Sequence, residues 1–145
     1  HRSDPGLCLG IFEGETIRPV TGDWFQTGDM VVMAEDGAIT SLGRADDMLN
    51  AGGFRVSPAE IEAAMAACPG VTASAAVELP VKDDVSVIAL FYTGAAEEDA
   101  LAAHAGAHLA RYKQPRLYLR RAAIPVTANG KVNRRSLREE WKATR

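Results

Sequence analysis

No stretch of this chain stays apolar for the roughly 20 residues that a helix needs to cross a bilayer, so no membrane span is read from it. A basic-then-apolar leader with a small-residue cleavage site is also missing. The sequence opens His1-Arg2-Ser3-Asp4-Pro5 without a Met, and this is expected not to be a natural start. Cysteine is scarce. Cys8 and Cys68 stand far apart with no partners at metal-ligand spacing, which argues against a disulfide framework. No metal site is read, and a reduced, cytoplasmic protein is the expectation. There is no internal repeat, and no low-complexity segment beyond one Ala-rich helix.

What is present is ordinary globular composition over 145 residues, 47% hydrophobic and 24% charged, enough for one compact domain or a small domain plus part of another. The net charge of -3 conceals an asymmetry. From Arg111 onward eleven basic residues face only Glu139 and Glu140, a net +9, while the remainder carries five basic and seventeen acidic residues, -12. A basic third beside an acidic two-thirds suits contact with a phosphorylated ligand, a nucleic acid or the acidic part itself, and equally a solvated basic tail.

The first forty-odd residues read as short strands and turns. Leu7 to Phe12 is an apolar run between glycines. Met30 to Met33 and Ala38 to Leu42 flank Glu35-Asp36-Gly37, a hairpin signal. This part is β-rich and too short to close a large core alone. Met48-Leu49-Asn50 and Phe54-Arg55-Val56 then read as a hairpin across Ala51-Gly52-Gly53. Ser57-Pro58-Ala59-Glu60 is a helix start, with Ser57 as cap, Pro58 at the first helical position and Glu60 closing a capping box. Ile61, Ala64, Met65 and Cys68 continue at helical spacing to Pro69-Gly70. Val71 to Leu79 and Val85 to Tyr92 read as strands, the second central. Glu97 to Arg111 reads as a helix with Leu101, Ala105, His108 and Leu109 on one face, Leu117 to Leu119 as a strand, and Arg134 to Lys142 as a terminal helix. The fold class is α+β: a short antiparallel hairpin and a three-stranded sheet packed with helices, after a β-rich segment. The boundary falls near Arg44 to Asp47, giving units 1–45 and 46–145.

Four stretches have the residue types for chemistry. In Phe25-Gln26-Thr27-Gly28-Asp29 the carboxylate either shapes a turn or accepts from two neighbouring hydroxyls, as on a ribose. Arg44 and Arg55 offer planar donor forks for phosphate or ribose oxygens, or plain surface ion pairs. Gly52-Gly53 leave room for a ligand against the backbone, or simply turn a hairpin. Arg111-Tyr112-Lys113-Gln114-Pro115-Arg116 sets a ring among cations, suited to a purine and a phosphate or to the end of a helix. Asn129-Gly130 marks a tight turn with Lys131 at its tip, an exposed loop lysine or a point charge for developing negative charge.

Taken in order and spacing, these stretches resemble the adenylate-forming superfamily of acyl-CoA synthetases, nonribosomal adenylation domains and luciferases. Phe25 to Asp29 is similar to its aromatic-Arg-Thr-Gly-Asp motif, with Gln26 in place of the Arg. Gly43-Arg44-Ala45-Asp46-Asp47 through Pro58-Ala59-Glu60-Ile61-Glu62 resembles its hinge motif, and Asn129-Gly130-Lys131-Val132-Asn133-Arg134 the motif that bears the catalytic lysine. The likeness runs from about Leu7 to the C-terminus.

The resemblance implies a β-rich end of a large N-terminal domain in residues 1–45 and a mobile C-terminal lid in 46–145. It implies Asp29 on the ATP ribose, with Arg44 and Arg55 on ribose or phosphate. Asp46 would be the hinge, Lys131 the adenylation lysine, Gly52 and Gly53 neighbours of the CoA pantetheine, and Tyr112 and Lys113 neighbours of the CoA nucleotide. ATP, CoA and a small carboxylic acid are then the ligands and the enzyme's own N-terminal domain the partner, with Mg2+ arriving through ATP in that domain. The chain alone is expected to be inactive. Gln114 and a short Pro80 to Asp84 segment depart from the pattern and bear on the CoA contacts. Three other readings compete. One is an adenylation domain that loads an amino or aryl acid onto a carrier protein. Another is a nucleic-acid-binding α+β module, which needs exposed aromatics on a strand face, and Phe91-Tyr92 are the only adjacent aromatic pair on a strand. The third is a stand-alone lid that serves a partner chain.

Overall fold

The computed structural model describes residues 1, 3–82 and 85–144. The last residues of the Pro80 to Asp84 segment, with Arg2 and Arg145, lie outside the described residues.

Three hairpins come first. β1 (Gly10–Glu13) pairs antiparallel with β2 (Thr16–Pro19), so the strand expected from Leu7 begins at Gly10 instead. β3 (Asp29–Met33) pairs with β4 (Ile39–Arg44), and Asp36 Oδ1 accepts from Ala38 N at 2.9 Å in the turn. β5 (Leu49–Ala51) and β6 (Phe54–Val56) close through Gly52 and Gly53 at φ 60° and 93°. Two successive positive φ values make a primed turn that matches strand twist, which is why two glycines stand there.

Helix α1 (Pro58–Ala66) starts where expected, with Ser57 extended before it, but the capping box does not form. Ser57 Oγ donates instead to Leu42 O at 2.7 Å, and Glu60 binds Lys113. A buried hydroxyl takes whichever acceptor the packing brings near, and here that is a carbonyl of β4.

The main sheet has the order β7-β8-β9. β7 (Val71–Lys82) and β8 (Val85–Gly94) run antiparallel, and β9 (Leu117–Arg120) runs parallel to β8. The crossover that a parallel pair requires is helix α2 (Glu98–His108). This helix stops short of the expected Arg111. Leu109 turns extended, at φ -121° and ψ 139°, and buries, leaving Arg111–Lys113 as a separate 3-10 turn. His108 is exposed rather than on the packed face, and His104 Nε2 meets Ala64 O at 3.1 Å.

Alternation along β7 and β8 divides the core. Ala76, Ile88, Leu90 and Tyr92 face α1, α2 and the β5–β6 hairpin. Ala75, Val77, Leu79, Ala89 and Phe91 face Leu137 of α3 (Arg134–Ala143), with Val132 and Trp141 packed around them. The central strand is therefore apolar on both sides, as its sequence predicts. Phe91 and Tyr92 are both buried, so that pair presents no exposed aromatic face.

Candidate functional site

The residues singled out in the sequence fall into three groups. The first surrounds the junction after β4. Asp29 opens β3 directly across from Arg44, which closes β4. Arg44 Nη1 lies 3.6 Å from Asp29 Oδ1 and donates to Thr27 O at 2.8 Å, while its Nε donates to Asp46 Oδ1 at 3.2 Å. One guanidinium thus holds two carboxylates and a carbonyl, and both carboxylates stay half or more exposed. Its own backbone hydrogen bond, then Arg44, holds the Asp46 carboxyl below the usual range. Arg55 Nη2 donates to Ala45 O at 2.6 Å, so both arginines grip the segment between β4 and β5.

The second group is a cleft. Gly52, Phe54, Ile88, Arg111, Tyr112 and Arg116 are among the residues that line ≈ 310 Å³ between the β5–β6 turn and the 3-10 turn. Tyr112 stacks on Phe54 with centroids 4.7 Å apart and planes 31° from parallel. Aromatic faces beside two guanidinium groups can hold a flat, anionic molecule. Lys113 does not line this cleft; it is bonded to Glu60 in the first turn of α1. That bond, against a smaller desolvation effect, pushes the Lys113 ammonium above the ordinary lysine value.

The third group is Lys131. Its turn is closed by Thr127 N donating to Lys131 O at 2.7 Å, Gly130 N donating to Thr127 O at 2.9 Å, and a Val126–Val132 bridge. Asn129, Gly130 and Lys131 are all exposed. Val132 next to it packs on the α3 side of the sheet, whereas Ala51 beside Gly52 packs on the α1–α2 side. The structure therefore brings Gly52 and Tyr112 together and sets Lys131 with the opposite layer.

Sequence reasoning placed Glu60 in a capping box instead of against Lys113, and assigned no partners to Glu62 and Arg134. Arg134 Nη2 donates to Glu62 Oε1 at 2.6 Å, between side chains only 15% and 19% exposed. Lys113, Arg120 and Arg134 of the basic third meet Glu60, Glu97 and Glu62 of the acidic part. Part of the charge asymmetry is thus internal pairing. The signal available was that acidic-to-basic division, which pointed to pairing but not to partners.

Residues 60–131 match the family model described as the AMP-binding enzyme C-terminal domain. The chain is 36% identical over 154 residues to a mitochondrial acyl-coenzyme A synthetase of Mus musculus, covering 96% of this chain and 27% of that one. It is 38% identical over 149 residues to the L-allo-isoleucine ligase for the holo-CmaA peptidyl-carrier protein of Pseudomonas savastanoi pv. glycinea, covering 94% and 25%. Among solved structures, a fatty acyl CoA synthetase of Mycobacterium tuberculosis superposes with a TM-score of 0.70 at 33% identity, over 86% of this chain and 26% of that one. The chain spans about a quarter of the length of the relatives it matches.

Proposed function

This chain belongs to the adenylate-forming superfamily of AMP-binding enzymes, and we propose that it works as the mobile lid of an acyl-CoA synthetase, with residues 1–45 forming the edge of the larger N-terminal domain. The observation that carries the reading is the opposition of two faces. An exposed lysine stands on a closed turn with the α3 layer, and a glycine turn with an aromatic-cationic cleft stands with the α1–α2 layer.

In the first half-reaction a substrate carboxylate oxygen attacks the ATP α-phosphorus. The new oxygen–phosphorus bond forms as the bridge to the β-phosphate breaks, and pyrophosphate leaves. Anions crowd together at that moment, and Lys131 supplies the positive charge that stabilises them. Asp29 accepts from the ribose hydroxyls, while Arg44 and Arg55 face ribose or phosphate. In the second half-reaction the CoA sulfur attacks the acyl carbon, its proton is lost, and AMP departs. Rotation about Asp46 removes Lys131 and brings Gly52 and Gly53 beside the pantetheine, with Tyr112 and Lys113 near the nucleotide. One rigid body with two working faces meets both needs.

Mg2+ would accompany ATP. Among the described residues no group of three or more His, Cys, Asp or Glu is arranged to hold a metal ion, and no step runs through one.

In the full-length enzyme, Lys131→Ala is expected to slow adenylation by about 10²- to 10³-fold, the usual cost of one transition-state charge contact. Thioester formation from supplied acyl-adenylate should be retained. Equal loss in both half-reactions would refute the role. A second reading, transfer to a phosphopantetheinyl carrier protein, is favoured by the likeness to the carrier-protein ligase. Comparing acyl transfer to free CoA with transfer to such a carrier separates the two.

A further inference from the structure

Arg134 follows Lys131 across Val132 and Asn133 and opens α3. Its guanidinium donates from Nη2 to Glu62 Oε1 at 2.6 Å and from Nε to Ala76 O at 3.3 Å. The same Glu62 oxygen accepts from Ala76 N at 2.9 Å. Ala76 lies on β7, the strand at one edge of the sheet. Its outward backbone groups are therefore closed by a carboxylate from α1 and a guanidinium from α3, two helices that pack on opposite faces.

The placement of this clasp matters more than its strength. Mostly buried ion pairs contribute little net stability compared with apolar packing, but their bonds are directional. The other ties around Lys131 are internal to its own unit: Thr127 with Lys131, Pro125 with Asn133, and Asn133 Oδ1 accepting from Ser136 N at 3.1 Å. Leu137 holds α3 to the sheet by packing, which allows sliding, and Trp141 Nε1 donates to Pro80 O at the far end of the helix. The Arg134 clasp is the directional attachment closest in sequence to Lys131. It also fastens the lysine turn to α1, the helix that follows the Asp46 junction and the glycine turn.

We propose that Glu62 and Arg134 are positioning residues for adenylation, fixing the height and direction from which Lys131 is presented; this rests on the reading of Lys131 given above. An error of about 1 Å in placing a catalytic group can cost on the order of 100-fold in rate. Mild variants suffice to test it in the full-length enzyme. Glu62→Gln keeps an acceptor for Ala76 N but loses the charge, and Arg134→Lys keeps the charge but loses the fork.

Each is expected to slow ATP–pyrophosphate exchange by about 10- to 100-fold. The ATP KM should move less than about threefold, as for an interaction felt in the transition state alone. Thioester formation from supplied acyl-adenylate stays within about twofold of the unmodified enzyme, because Lys131 is withdrawn in that step. In a Lys131→Ala background, Arg134→Lys costs nothing further, since residues that act as one unit are non-additive. Losses that add in full, equal losses in both half-reactions, or no loss at all would overturn the positioning role alone. Adenylation that survives Lys131→Ala would overturn the reading of Lys131 and this inference with it.

Discussion

At the scale of single residues, the sequence marked positions and the structure supplied their partners. Lys113 illustrates the difference. Its place after Tyr112 suggested a phosphate contact, yet its ammonium is held by Glu60, a residue far back in the chain. The pair's contribution to stability has a definite pH window. Glu60 raises the folded-state pKa of Lys113 above the unfolded value, so the lysine's share is complete at neutral pH and is lost as the pH climbs through the folded value, in strongly alkaline solution. Asp46 runs the other way: its own backbone hydrogen bond and Arg44 lower its pKa, so its contribution is lost as the pH falls through that lowered value, in acid. If Lys113 meets a phosphate of CoA, Glu60 both occupies it and repels the ligand. Glu60→Gln in the full-length enzyme should therefore lower the CoA KM by about two- to fivefold, the range of one exposed ion pair, with kcat unchanged. Steady-state CoA titration checks this. An unchanged or raised KM would make Lys113 a brace between α1 and the 3-10 turn instead.

At the scale of elements, local signals were legible wherever the chain decides for itself. The Asp36-Gly37 and Gly52-Gly53 turns, the start of α1 at Pro58 and the doubly apolar β8 all stand where propensity and periodicity put them. Misses occurred where distant atoms compete with local preference. Ser57 abandons its capping role for Leu42 O, and α2 ends at His108, before an extended and buried Leu109, well ahead of Pro115. The parallel pairing of β9 with β8 was likewise out of reach, since a short strand alternating with basic residues carries no direction. One sequence feature gained meaning only from the fold. Gly94 ends β8 at φ 111°, and a Cβ there would lie 2.1 Å from Gly70 O, the carbonyl that accepts from both Ala95 N and Ala96 N. Backbone strain and a lost junction both follow from any side chain. Gly94→Ala is expected to destabilise the chain by about 2–4 kcal/mol, more than an ordinary surface change. Urea unfolding midpoints measure it, and a loss below about 0.5 kcal/mol, the surface range, would contradict the geometry.

At the scale of the whole molecule, burial differs between the residues before and after the Asp46 junction. Every buried apolar residue among the described residues lies at Leu49 or later. Before it, Leu9 is 93% exposed, Phe12 and Trp24 76%, and Met33 69%, on the leading hairpins and the segments beside them. Apolar surface of this extent marks a face meant for contact, in keeping with the proposal that residues 1–45 belong to a larger body. The motifs suggest that division, and the burial pattern adds that the buried apolar residues begin at Leu49. A chain of residues 44–144 should then unfold in one cooperative thermal transition. It loses Leu42 O as the acceptor for the buried Ser57 hydroxyl, at a cost of about 1 kcal/mol, equivalent to about 4–8 °C in Tm for a domain this size. Sedimentation should find the shorter chain monomeric, and the 145-residue chain should self-associate through its exposed strands. Non-cooperative melting of the shorter chain would mean that the leading hairpins carry part of the core, and the division at the Asp46 junction would fall.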